Sequence, residues 1–107
     1  MIPFIAKLHA RPGKEAEAQA ALHEAQQRTH QEPGCHLYAL HVEDTDPGAF
    51  VMIEIWESDA AMDAHVASPH IQALIAKSGD LFEGDGPDIL RLRALPCGDS
   101  GKGELRP

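Results

Sequence analysis

Apolar and polar residues alternate along Ile2–His9, with Ile2, Phe4, Ala6 and Leu8 on one side and Ile5 among polar residues on the other. A period of two predicts a strand. Arg11-Pro12-Gly13-Lys14 then reads as a turn. From Lys14 to Gln31 the period lengthens. Ala18, Ala21, Leu22, Ala25 and Thr29 recur at helical spacing in a segment rich in Ala, Glu and Gln. Those small side chains let the helix lie close to whatever it covers, and Pro33-Gly34 ends it. Cys35–Glu43 alternates again, with Leu37, Ala39 and His41 on one face and His36, Tyr38, Leu40 and Val42 on the other. The run Asp44-Thr45-Asp46-Pro47-Gly48 predicts a hairpin turn, and a third strand follows over residues 49–57. Ser58 suits the cap of a helix beginning at Asp59, whose stripe is Ala61, Met62, His65 and Val66. Ser68-Pro69 restarts a helix, with Ile71, Leu74 and Ile75 as its apolar face. Gly79, Gly84 and Gly86-Pro87 mark its exit, and residues 88–95 alternate as a fourth strand.

The order β-α-β-β-α-β is that of a ferredoxin-like α+β fold, a four-stranded antiparallel sheet with its helices on one face. Residues 1–95 form the domain and residues 96–107, polar and glycine-containing, a tail or arm. Strand three does not fit a sheet with one wet face. Phe50, Met52, Glu54 and Trp56 share one side, yet the other side carries Val51, Ile53 and Ile55. An antiparallel sheet with a free face should be polar there. The second apolar face therefore predicts a covering sheet, most simply a second copy of the chain packed through the open face as a dimeric α/β barrel.

The remaining bounds come from composition. A chain of 107 residues makes one domain with one core, and 43% apolar residues is the globular norm. The formal charge of −8 disfavours nucleic acid and anionic membranes as partners. No apolar run approaches a membrane span, and the first residues do not read as a signal peptide. Cys35 and Cys97 form no disulfide framework, so a reducing cytoplasm is the expected location.

Several motifs, taken in order, resemble the antibiotic biosynthesis monooxygenase (ABM) domain family. They are Arg11-Pro12-Gly13-Lys14, Glu32-Pro33-Gly34-Cys35 with Tyr38, Phe50 with Glu54-x-Trp56, then Ala61, His65 and Ser68-Pro69-His70. The resemblance covers about residues 2–95. It implies a dimeric ferredoxin-like barrel that oxidises an electron-rich aromatic, such as a hydroquinone, naphthol or anthrone, to a quinone with O₂. It also implies no cofactor, since the deprotonated substrate itself reduces oxygen. The protein then has to hold a flat ring, remove a proton and exclude water. A haem-degrading branch of similar fold uses other residue types where this chain has Ala6, His65 and Ile75, so haem degradation is not expected.

Two residues are candidates for catalysis. His65 has the ordinary pKa for proton transfer near neutrality and lies on a buried stripe. Glu54 sits mid-strand among large apolar residues, where an unpaired carboxylate is costly, so it needs a partner. His65 is one, and Lys7, Arg91 and Arg93 are others. Trp56 and Tyr38 would frame a ring, Phe50 and Met52 would wall the pocket, and His70 would line its mouth. The plain alternative for each is a core role: a hydrogen-bonded histidine, a structural ion pair, aromatic anchors. Seven histidines raise the question of a metal, but no pair has the spacing of two ligands on one helix face, so none is expected. Two other functions fit the same residues. One is an isomerase or tautomerase of a small, possibly phosphorylated ketone, with Lys7, Arg91 and Arg93 as its cationic pocket. The other is a non-catalytic ligand-binding stress-response dimer.

Overall fold

The computed structural model describes all 107 residues. Its elements run β1 (Ile2–His9), α1 (Glu15–Thr29), β2 (Cys35–Glu43), β3 (Asp46–Trp56), α2 (Asp59–Ala67), α3 (Pro69–Leu81) and β4 (Asp88–Arg91). The four strands form one antiparallel sheet in the order β2-β3-β1-β4, the ferredoxin-like arrangement. No helix is long and apolar enough to cross a membrane.

Register decides which side chains face the helices. β1 pairs with β3 so that Ile2, Phe4, Ala6 and Leu8 stand opposite Trp56, Glu54, Met52 and Phe50. On the other side, Tyr38 of β2 stands opposite Glu54 and Leu40 opposite Met52. These residues make the buried face, and α1 covers it with Ala18, Leu22, Ala25 and Thr29. The edge strand β2 is blunted by α1, whose Gln26 Oε1 accepts from the Leu40 N–H at 2.7 Å. His30 Nε2, from the turn that follows α1, pairs with the Tyr38 carbonyl at 2.7 Å.

Three expectations are corrected. β3 begins at Asp46, so the hairpin turn shrinks to Asp44-Thr45; Asp46 Oδ1 accepts from the Gly48 N–H at 3.0 Å within the strand. β4 ends at Arg91, because its partner β1 has almost run out; Arg91 pairs with Phe4, and the Leu92 N–H still donates to the Pro3 carbonyl. Val66 and Ile75, assigned to apolar helix faces, are exposed. Gly103–Pro107 lie beside Pro3, Ile55 and Leu92 at one end of the open sheet face. On that face Ile5, Leu37, Val51 and Ile53 stay partly exposed in the single chain, and Ile55 is buried.

Candidate active site

Most buried apolar residues fall into two clusters on the helix-covered side of the sheet. One comprises Ala10, Ala18, Leu22, Phe50, Leu81 and Phe82. The other comprises Phe4, Ala6, Tyr38, Met52 and Trp56. The second cluster is joined by the ionisable residues Glu54 and His65, 3% and 5% exposed, with Trp56 wholly enclosed.

Backbone features at both ends of α2 bring these groups together. Ser58, in extended conformation, caps α2 by accepting from the Ala61 N–H at 3.1 Å. Ser68, also extended as suits a residue before proline, ends α2, and Pro69 starts α3 in a new direction. That break brings His65 and His70 onto one carboxylate. Gly34 lets α2 lie against the turn after α1, since a Cβ there would fall 2.3 Å from Ala61 Cβ. This glycine is required by close approach, not by a left-handed backbone.

The carboxylate is Glu32. Its Oε2 lies 2.8 Å from His65 Nδ1 and 2.8 Å from His70 Nε2 and accepts from both imidazoles. Ser68 Oγ donates to the His65 carbonyl at 2.6 Å and lies 3.2 Å from His70 Nε2. With Nδ1–H committed to Glu32, His65 Nε2 is left as the basic nitrogen and takes no hydrogen bond within the chain. The imidazole ring lies 4.5 Å from the Trp56 ring and 5.2 Å, edge on, from the Tyr38 ring.

Glu54 does something else. Its Oε1 accepts from Trp56 Nε1–H at 2.8 Å, so the expected Glu54–His65 pair is not formed. Glu54 and Trp56 alternate onto the same face of β3, which lets the indole reach back two residues. Burial raises the Glu54 pKa from 4.5 to about 7, against the favourable Trp56 bond, and the Glu32 charge pushes the same way. Burial also lowers the His65 pKa from its ordinary value, opposed by the hydrogen bond to Glu32 and its charge. Burial holds the Tyr38 phenol protonated and pushes the Cys35 thiol up to about 11, which leaves it a poor nucleophile.

Of the predicted site residues, the structure gathers His65, Glu54, Trp56, Tyr38 and Met52. Phe50 is a correction: it belongs to the other cluster, packed with Ala18, Leu22 and Phe82. His70 bonds to Glu32 and also lines a cleft of about 400 Å³ between α1 and α3. The expected open cavity is closed by ring-on-ring packing of His65, Trp56 and Tyr38. The cations Lys7, Arg91 and Arg93 do not gather there. Lys7 is paired in register with Val51 on the opposite sheet face, Arg91 bonds to Asp59 over the Phe4 ring, and Arg93 lies beside the tail. The residue missed from the sequence is Glu32. An acidic residue before Pro-Gly reads as a solvated turn, and no periodicity links it to α2 or α3.

The ABM model, described as antibiotic biosynthesis monooxygenase, matches residues 1–77. The chain belongs to the antibiotic biosynthesis monooxygenase family. It is 36% identical over 95 residues to the probable quinol monooxygenase YgiN of Escherichia coli, covering 78% of this chain and 90% of that one. It is 30% identical over 75 residues to the uncharacterized protein sll1783 of Synechocystis, covering 70% of this chain. The match spans about half the length of that cyanobacterial protein (51%). A crystal structure of an antibiotic biosynthesis monooxygenase superposes with a TM-score of 0.83 at 32% identity, covering 90% of this chain and all of that one. Membership of the ABM family and the likeness to YgiN support an enzyme of that family.

Proposed function

We propose that the chain is a cofactor-independent monooxygenase for an electron-rich aromatic of hydroquinone, naphthol or anthrone type, with His65 as its general base. The observation that carries this reading is the His65 ring itself. It is fixed through Nδ1–H to Glu32, lies against Trp56 and Tyr38, and keeps Nε2 free. A carboxylate that fixes the tautomer and stabilises the imidazolium is what a histidine base needs.

Taking an anthrone as the worked case, His65 Nε2 accepts a proton from the ring CH₂ and becomes an imidazolium held by Glu32. The carbanion gives one electron to O₂, and the radical pair combines into a peroxide on that carbon. Cleavage of the O–O bond leaves a carbonyl and releases the second oxygen as water, with the proton returned from His65. Trp56 and Tyr38 flank the flat ring, Met52 packs beneath it, and Glu54, its pKa raised to about 7, is partly protonated at neutral pH and able to donate to a substrate oxygen. Because the rings pack on one another, substrate entry requires α2 to draw back. That helix buries only one side chain, His65 itself. The unmet apolar face of the sheet supports a homodimer through Val51, Ile53 and their neighbours.

The test is oxygen uptake across a panel of hydroquinones, naphthols and anthrones, with His65→Ala alongside. Turnover by the wild type that falls about 10²–10⁴-fold in the variant supports the reading. No uptake with any member of the panel, or equal rates, overturns it.

A further inference from the structure

We propose that Glu32, His65 and His70 form a binding site for a first-row divalent transition-metal ion, and that occupancy switches off the base. One carboxylate oxygen and two imidazole nitrogens lie within 4.8 Å of one another. They come from three separate pieces of chain: the turn after α1, helix α2 and the start of α3. Their side chains are only 15%, 6% and 13% exposed, so solvent competes weakly for them. Two imidazoles and a carboxylate suit zinc, iron, nickel or copper, not magnesium or calcium, and three ligands leave a position open for water.

Bonds of about 2.0–2.1 Å to one ion place neighbouring ligand atoms about 3.3 Å apart. The two hydrogen-bonded contacts now stand at 2.8 Å and all three ligand atoms lie within 4.8 Å of one another, so small shifts of the carboxylate and of the two imidazoles admit the ion. Ser68 Oγ, 3.2 Å from His70 Nε2, stands beside the ligands and ties the His65 carbonyl. His70 also lines the cleft between α1 and α3 together with Glu24, Arg28 and Lys77, which gives an ion a route to the site.

The consequence for the base follows from imidazole chemistry. An ion on His65 Nδ1 and His70 Nε2 takes the lone pair at those atoms, and each neutral ring carries its proton on the other nitrogen. For His65 that nitrogen is Nε2, the atom that would accept the substrate proton. The inhibition rests on the His65 reading proposed above; the binding does not.

The test is calorimetric titration of the intact chain with Zn²⁺, repeated with Co²⁺ followed by its visible absorption. One ion per chain is expected, with affinity reduced roughly tenfold or more in Glu32→Gln and in His70→Ala. His9→Ala, which removes the exposed His9–Asp46–Glu83 group at the other end of the fold, should leave it unchanged. Circular dichroism checks the fold of each variant. Imidazole NMR of the wild type gives a readout independent of them, since His65 and His70 should be the rings that shift. No binding up to millimolar Zn²⁺, equal binding by both variants, or shifts confined to other histidines overturns the site. Binding without loss of aromatic oxidation overturns the switch. A wild type that binds Zn²⁺ but oxidises nothing in the panel refutes the base and leaves the metal site standing.

Discussion

The two buried clusters lie on one sheet face under one layer of helices, yet they are built for different ends. Around Phe50, the side chains are wholly apolar: Ala10, Ala18, Leu22, Leu81 and Phe82 interlock where α1 and the end of α3 meet β1 and β3. Around Trp56, the same face holds a carboxylate and an imidazole, each with one hydrogen-bond partner and an unused polar atom. The first arrangement gains stability by removing apolar surface from water. The second gives some of that up, because a carboxyl kept at a pKa of about 7 and a histidine with its pKa lowered are costs of burial. A fold of this size tolerates one such region when the other end is apolar. That contrast is the reason for placing the proposed chemistry around Trp56.

The sharpest way to break the comparison is to truncate one residue at each end. Phe50→Ala should lower unfolding stability by about 3–5 kcal/mol, measured by denaturant titration, while the rate per folded molecule stays within a few-fold. A selective loss of substrate affinity without loss of stability would return Phe50 to the pocket wall. At the polar end, Glu32→Gln keeps the shape but removes the charge that holds the imidazolium. It should cut the oxidation rate about 10–100-fold with little change in KM, as expected for an interaction that strengthens in the transition state.

Glu54→Gln sharpens the contrast through pH. The folded pKa lies above the unfolded one, so the native state binds more protons between pH 4.5 and about 7. The wild type therefore loses stability as pH rises through that window, relative to the variant, and the difference levels off above it. A shift from 4.5 to about 7, at about 1.4 kcal/mol per unit, is of the order of 3 kcal/mol in favour of Gln at pH 8. Gln can still accept from Trp56, so melting curves at pH 4 and pH 8 isolate the charge. Equal melting temperatures at both pH values, variant against wild type, would mean that Glu54 is not desolvated. The smallest effect belongs to Thr29→Val. Thr29 Oγ1 is the one fully enclosed side-chain polar atom without a partner, and removing it should stabilise the protein by up to about 1 kcal/mol.

Most of the fold was legible because it rests on local periods. Alternation in Ile2–His9 and Cys35–Glu43, the small-residue stripe of α1 and the Ser58 and Ser68-Pro69 boundaries all survive in the structure. The misses have tertiary causes. The alternation of residues 92–95 continues, but after the Leu92–Pro3 hydrogen bond β1 has only Ile2 left to pair with them. At the site, His65, Trp56, Tyr38 and Glu54 could be assigned to one interior from strand and helix phase alone. Their bonding could not. Phase places Glu54 near His65, but a two-residue reach from Trp56 satisfies it first. The partner of His65 comes from Glu32, whose position depends on how the turn after α1 packs against α2. The Ser68-Pro69 break that argued against a ligand pair on one helix is what turns His65 and His70 toward each other.

The central claim is that His65 takes the substrate proton. A single-turnover experiment tests it most directly: anaerobic protein loaded with an anthrone that it oxidises, mixed with O₂, and followed by the absorbance of the quinone. The account predicts that His65→Ala, folded and still binding the ring, forms quinone about 10²–10⁴-fold more slowly than the wild type. Quinone formation at the wild-type rate in that variant would contradict it.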